Sequence, residues 1–340
     1  FNAFGLREWC DASAGSAKMT MASLLAKTNP DAADEGPLFP FPSMDELYKA
    51  CPSFPQSREF TAGVEEAFLN AKDVLKTVLD PLTQPLSWLL EGALFIFLAA
   101  PWWIVVPLIL MFVWYVCRSV AVTTFVTVSF AFLAFIDHLD AALQTLAIIA
   151  VCTGICIILG VPVGIAMAKS NRFQRSLLPL LDLLQTLPTF VYLIPLIFLF
   201  SVTEPKLYGI AIIVYAIVPV IRLTDLGIRL VDQDVVEAAN AFGMSSRQKL
   251  FGIELPLALP NIMAGVNQTI MMSLAMVVIA SLVSAPGLGV LVLRGIRNLE
   301  LGVGLIAGLG IVLLAVILDR VSKAATVSYT HLTLPTTGIV

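Results

Sequence analysis

A handful of polar side chains interrupt long apolar runs, and they are the residues whose chemistry most needs a reason. In LLDLLQTLPTFVYLIP, Leu180 to Pro195, Asp182 lies three residues from Gln185 and four from Thr186, so a helix puts all three on one face, with Tyr192 further along. In AGVNQTIMMSLAMVVIAS, Ala264 to Ser281, Asn267, Gln268 and Thr269 are consecutive. Such groups are costly in hydrocarbon and face a bundle interior or a water path. Two uses fit: bridging helices, each bond worth about 0.6 kcal/mol, or lining a solute path. Asp182 could help pass a cation or simply be hydrogen-bonded. No set of residues suits catalysis, and no GxxxxGK[ST] phosphate loop occurs, so energy from ATP would have to come from another chain. His138 and His331 are too isolated for a metal site. Cys117, Cys152 and Cys156 lie in apolar runs and read as buried thiols, whereas nothing specifies a pairing for Cys10 and Cys51.

A different polar stretch, EAANAFGMSSRQKLFGIELP from Glu237 to Pro256, reads as two short helices joined by a hard turn. Asp234 is the expected cap of the first, with Glu237 three residues on. Ala238, Ala239 and Ala241 favour helix without bulk, letting another surface approach. Gly243 is the expected left-handed stop. Ser245 and Gln248 make a second capping box, and Pro256 is expected to end the second helix.

The 340 residues are 58% hydrophobic and 13% charged, with a mean hydropathy of +0.91. Soluble domains carry about 25% charged residues, so the chain is expected to be an all-α polytopic membrane protein. The net charge of −4 is uneven: residues 1–80 hold twelve acidic and seven basic residues, the remainder twelve and thirteen. No basic patch suggests nucleic acid. Residues 1–85 are expected to be a soluble, largely disordered tail with one amphipathic helix over 64–79, its true start at Met19 or Met21. Leu86 to Ala100 is too short to cross and is expected to lie on the membrane surface. Spans are expected at 102–117, 119–136, 139–168, 177–201, 207–222, 261–285 and 301–318, about seven in all. Pro188 and Pro195 are expected to break the fourth twice, and Gly287, Gly289, Gly302, Gly304, Gly308 and Gly310 to allow close helix contacts. Residues 325–340 depart from the rest and read as a non-native tail. Lys169, Arg172 and Arg175, the Arg222 to Pro260 loop, Arg320 with Lys323, and Arg118 all fall on one side, expected to be cytoplasmic with the C-terminus; the N-terminus is then outside. Arg294 and Arg297 fall on the external side, against that rule.

The spacing Glu237, Ala238, Ala239, Gly243, Ile253, Leu255, Pro256 resembles the EAA signature of ABC-importer permease subunits. The resemblance implies a type I importer permease fold over 138–321, behind a surface helix and two spans at 86–137. It implies a cytoplasmic coupling loop, 222–260, that docks on an ATP-hydrolysing subunit. LLDLLQTLPTFVYLIP, IVPVIRLT (Ile217 to Thr224), AGVNQTIMMSLAMVVIAS and GLGVLVLRGI (Gly287 to Ile296) further resemble permeases of glycine betaine/proline betaine importers, over about Trp102 to Val321. That implies a homodimeric pore in the bacterial inner membrane, two ATPase subunits carrying the ATP and Mg, and an external binding protein delivering quaternary amines. This chain itself would bind no cofactor and catalyse nothing.

Other readings stand beside it. A permease of the same superfamily for methionine, another amino acid or an anion shares the signature. An ion-coupled secondary transporter needs two matching halves and mid-membrane ionisable groups, and only Asp182 is a candidate. A structural membrane protein leaves the intact signature unused.

Overall fold

The computed structural model describes residues 57–333, and every regular element among them is helical. Of the tail expected over 1–85, residues 1–56 lie outside the described residues and the rest, from Ser57, is helix. The first helix, α1, runs Ser57–Ala99 straight through Pro81 and Pro85. It therefore starts far ahead of the stretch expected to lie on the membrane. Its Val74–Ala99 part is long and apolar enough to cross a bilayer. Along that part Asp80 meets Lys206, and Leu86 and Leu90 pack on Gly209, all at the start of a later helix. Lys206 is nearly buried, paired with Asp80 at 2.7 Å and Glu204 at 2.8 Å, and sits 5.2 Å from the Phe200 ring.

α2 (Trp102–Cys117) and α3 (Val120–Phe135) have 16 residues each. At 1.5 Å per residue, that is shorter than about 30 Å of hydrocarbon. Arg118, left-handed at φ 47°, turns the chain between them. α4 is Leu139–Lys169, α7 Pro205–Arg229, α10 Leu255–Ala280, α11 Leu288–Asn298 and α12 Leu301–Thr333. Among the described residues five helices meet the length and hydropathy of a span, or six if one bent pair counts once. About seven spans were expected; α2 and α3, two of them, are apolar but shorter than that length, and α1 is longer than the surface helix expected there.

That bent pair is α5 (Asn171–Thr186) and α6 (Thr189–Leu199), meeting at 101°. The expected single span at 177–201 is not one helix. Pro188 has no N–H to continue α5 and forces Leu187 out of the helical region, to ψ 132°. Pro195, also expected to break the chain, lies inside α6 without interrupting it.

The core is α4, α7 and α10. Gly160 faces Val220 and Gly164 faces Thr224, so α4 and α7 run parallel; Gly265 of α10 approaches Val220 and Gly227 of α7 approaches Asn261, so α10 runs antiparallel. A Cβ on Gly164 would stand 2.7 Å from the Ile221 carbonyl oxygen, which is why only glycine fits there. Backbone approach of this kind is how helices associate where lipid removes the hydrophobic driving force. Of the six glycines expected to make close contacts, Gly302 and Gly308 face open space, while Gly287 and Gly289 are tightly enclosed and Gly310 packs on Leu133 and Leu288.

Candidate functional site

The stretch Glu237 to Pro256 folds by its own local chemistry. α8 is Gln233–Ala241, and its cap is Asp232, whose side chain accepts from the Asp234 N–H at 3.0 Å. Asp234, expected as the cap, sits inside the first turn. Gly243 has φ 74°. Its N–H donates to Asn240 at 3.0 Å and the next N–H, of Met244, to Ala239 at 3.1 Å, the pair of bonds that closes a Schellman stop. Nothing lies within 4 Å of a Cβ built on Gly243, so the need for glycine there is conformational, not spatial. α9 (Ser246–Lys249) opens with the expected capping box: Ser245 N–H donates to Gln248 Oε1 at 2.8 Å, and Gln248 N–H to Ser245 Oγ at 3.4 Å. Lys249 Nζ reaches back to Asn240 Oδ1 at 3.0 Å, pinning α9 to α8.

Pro256 does not end the second helix. A π-helical turn, Leu250–Glu254, comes after α9 and passes directly into α10, with Pro256 in its first turn. The reason is the missing N–H. Leu255 N–H donates five residues back to Leu250, and the wider turn absorbs a proline that gives up no needed donor at a helix start. The loop is therefore rigidly continuous with a span of the core.

Of the signature residues, Ala239 is buried, Glu237, Ala238, Gly243 and Pro256 are exposed, and Ile253 and Leu255 are half-buried. Two aromatic side chains outside the signature stand out beside them: Phe242 is 88% exposed and Phe251 68%. Their signal in the sequence is their presence inside a polar stretch.

Polar bonds tie this loop to the helix ends around it. Glu254, 6% exposed, pairs with Lys169 at the end of α4. Arg229, at the end of α7, donates to Asp225 Oδ1 at 2.8 Å, Asn171 Oδ1 at 2.8 Å and the Met167 carbonyl at 2.7 Å. Gln174 donates to the other Asp225 oxygen at 2.7 Å. The two basic loops expected on one side do sit together, at the same end of the core. In the sequence Arg229 counts only as a topology charge; here it joins three helices.

Of the seven candidate pathway residues, the six whose side chains are described do not converge. Asp182 pairs with Arg222 of α7 and is otherwise exposed. Gln185 and Thr186 are exposed, Thr186 bonding its own helix at Leu183. Tyr192 lies in α6, its side chain outside the described set. Asn267 faces α12, donating to Asp319 at 3.2 Å and accepting from Ser322 at 2.5 Å, a bridge between helices. Gln268 is exposed, and Thr269 is buried with its hydroxyl unpartnered among the described residues. No group of metal-ligating side chains occurs among the described residues.

Comparisons with known proteins fit this geometry. The permease ProW of the glycine betaine/proline betaine transport system of Escherichia coli K12 is 38% identical over 285 residues, 84% of this chain and 78% of that protein. OpuAB, the glycine betaine transport permease of Bacillus subtilis 168, is 42% identical over 229 residues, 67% of this chain and 76% of its own. GbuB, the glycine betaine/carnitine permease of Listeria monocytogenes 10403S, is 36% identical over 262 residues, 76% of this chain and 89% of its own. Residues 160–325, which run from the last part of α4 through α7, the loop between α7 and α10, and α10 itself, match the family described as binding-protein-dependent transport system inner membrane component. With relatives this similar along most of their length, the chain belongs to that family of permeases.

Proposed function

We propose that this chain is the membrane path of an ATP-driven importer for small quaternary amines of the glycine betaine type. The observation that carries the reading is the loop between α7 and α10. It is locked by its own caps, fused to a core span, and holds Phe242 and Phe251 away from the rest of the chain. Large exposed aromatics on a rigid polar element are what a partner subunit's groove would bury. The ATPase subunit, carrying ATP and Mg, would dock there. An external binding protein would deliver the solute at the opposite end, and a second copy of this chain would complete the pore. The three relatives share glycine betaine in their names, which supports the solute class.

The loop end would be cytoplasmic, together with the C-terminus, and the N-terminus would be outside. Cysteines introduced by Ser170→Cys or Ser245→Cys would then be shielded from an impermeant thiol reagent in intact cells.

Within the chain, Trp114, Tyr115, Phe190, Tyr192, Phe198, Phe200 and Tyr215 do not form a cluster in sequence, whereas a quaternary ammonium is selected by grouped ring faces at about 0.5–2 kcal/mol each. Selectivity would therefore rest mainly with the binding protein. The test is reconstitution in vesicles with the ATPase and binding protein, scoring ATP-dependent uptake of glycine betaine against proline betaine, choline and methionine. Uptake that needs no ATP, or that methionine competes best, rules the reading out.

A further inference from the structure

Between α3 and α12 lies a cavity of about 260 Å³ lined by Ala121, Val122, Phe125, Val316 and Arg320. Four of these side chains are apolar, and the fifth is an arginine. The nearest carboxylate in sequence, Asp319, is already engaged by Lys323 at 2.8 Å and by Asn267 at 3.2 Å. No ion pair or hydrogen bond among the described residues engages Arg320. The backbone of a second arginine, Arg118, comes close to the same turn, and no hydrogen bond or ion pair among the described residues engages its side chain. Cys117 Sγ contacts the Val321 carbonyl at 3.8 Å, bringing the end of α2 against the turn of α12 that carries Arg320. Arg118 itself is fixed in the left-handed conformation, its N–H bonded to Trp114.

We propose that this groove holds one anionic phospholipid, an acyl chain against Val122, Phe125 and Val316 and the phosphodiester against Arg320 and Arg118. The charge pattern selects the occupant. Guanidinium groups meet phosphate oxygens in paired hydrogen bonds, and basic pockets between membrane helices are where acidic headgroups bind. A zwitterionic lipid would fill the apolar part but bring its own cation towards two arginines. The site lies apart from the loop between α7 and α10 and does not depend on which solute is carried.

The experiment is native mass spectrometry of the detergent-purified permease, counting retained phosphatidylglycerol and phosphatidylcholine during titration with each. In Arg118→Gln/Arg320→Gln, phosphatidylglycerol retention should fall about fivefold for each arginine removed, the weight of one basic residue at an anionic surface, with phosphatidylcholine unchanged. Arg172→Gln, a charge removed outside the groove, should leave both lipids unaffected. Val316→Phe fills the groove without touching charge and should also lower retention, which keeps the proposal testable if the double variant folds poorly. Inorganic phosphate should not displace the lipid. Retention unchanged in both groove variants overturns the proposal, and so does an equal loss in Arg172→Gln, which would mean a diffuse surface attraction. Spontaneous disulfide-linked dimers of Ala121→Cys would overturn it too, because a second copy would then cover the groove.

Discussion

The loop between α7 and α10 and the broken pair α5–α6 share one polar network but are held in opposite ways. The loop is sealed from within: a Schellman stop at Gly243, a reciprocal capping box at Ser245, and Lys249 bonded to Asn240. At the bend of the pair α5–α6, Leu187 and Pro188 are extended, and the bonds described there close each helix end separately, Leu187 N–H to the Leu183 carbonyl and Val191 N–H to that of Pro188. The pair is held from outside, by Arg222 on Asp182 and by Asp225 on Gln174, both reaching from α7. An element closed by its own bonds can move as a body, whereas a bent helix kept in place by a neighbour's side chains changes its angle when the neighbour shifts. The first suits a lever and the second a gate.

The largest effect should come from unsealing the lever. Gly243→Val places a β-branched residue at φ 74°, at a cost of about 1–2 kcal/mol. The permease should still insert, but substrate-stimulated ATP hydrolysis by the reconstituted complex should be lost. Gly243→Asn, which tolerates the left-handed region and meets open space, should keep most of it. Equal activity in both variants would show the loop to be only a connector.

Next comes the joint between loop and core. Lys169→Ala leaves the Glu254 carboxylate buried without its partner. Because Lys169 is itself 40% exposed, the loss should be about 1–3 kcal/mol rather than the larger figure for a fully buried pair. Thermal unfolding in detergent reads it, and adding Glu254→Gln should restore part. A melting point unmoved by the single change would mean the loop is not fastened through α4.

Loosening the gate should cost less stability but still slow transport. Asp182→Asn removes a tether that is more than half exposed, so stability should change by less than about 1 kcal/mol. Uptake of glycine betaine should slow while the ranking of competing solutes stays the same. A reordered ranking would put a specific solute site at Asp182 and contradict a permissive path. Smallest of all, Ser245→Ala should cost about 0.5–1 kcal/mol, visible as faster hydrogen exchange at the Gln248 amide.

Several features of the loop are legible in the sequence because their causes are local. Gly243 and the Ser245–Gln248 box depend on residues within one turn of each other. The cap of α8 falls two residues from its expected place because Asp232 and Asp234 offer the same chemistry, and only the path of the backbone decides between them. Pro256 departs from expectation for a similar reason: a proline ends a helix from within but is welcome in a first turn, and the π-helical turn ahead of it has no sequence signature.

By itself, the sequence determined the helical class, the membrane character, and the turn chemistry of the loop, because composition, periodicity and capping act over a few residues. Tertiary structure decided which partners the polar groups inside the spans meet. Asn267 bridges to α12 across 52 residues and Asp182 meets Arg222 across 40, distances over which no pattern in the chain announces a partner. It likewise settled which glycines matter: Gly160 and Gly164 carry the closest approach of α4 to α7, while Gly302 and Gly308 meet nothing. A glycine's lack of a side chain is written in the sequence, but whether another backbone comes to occupy that space depends on how the helices pack.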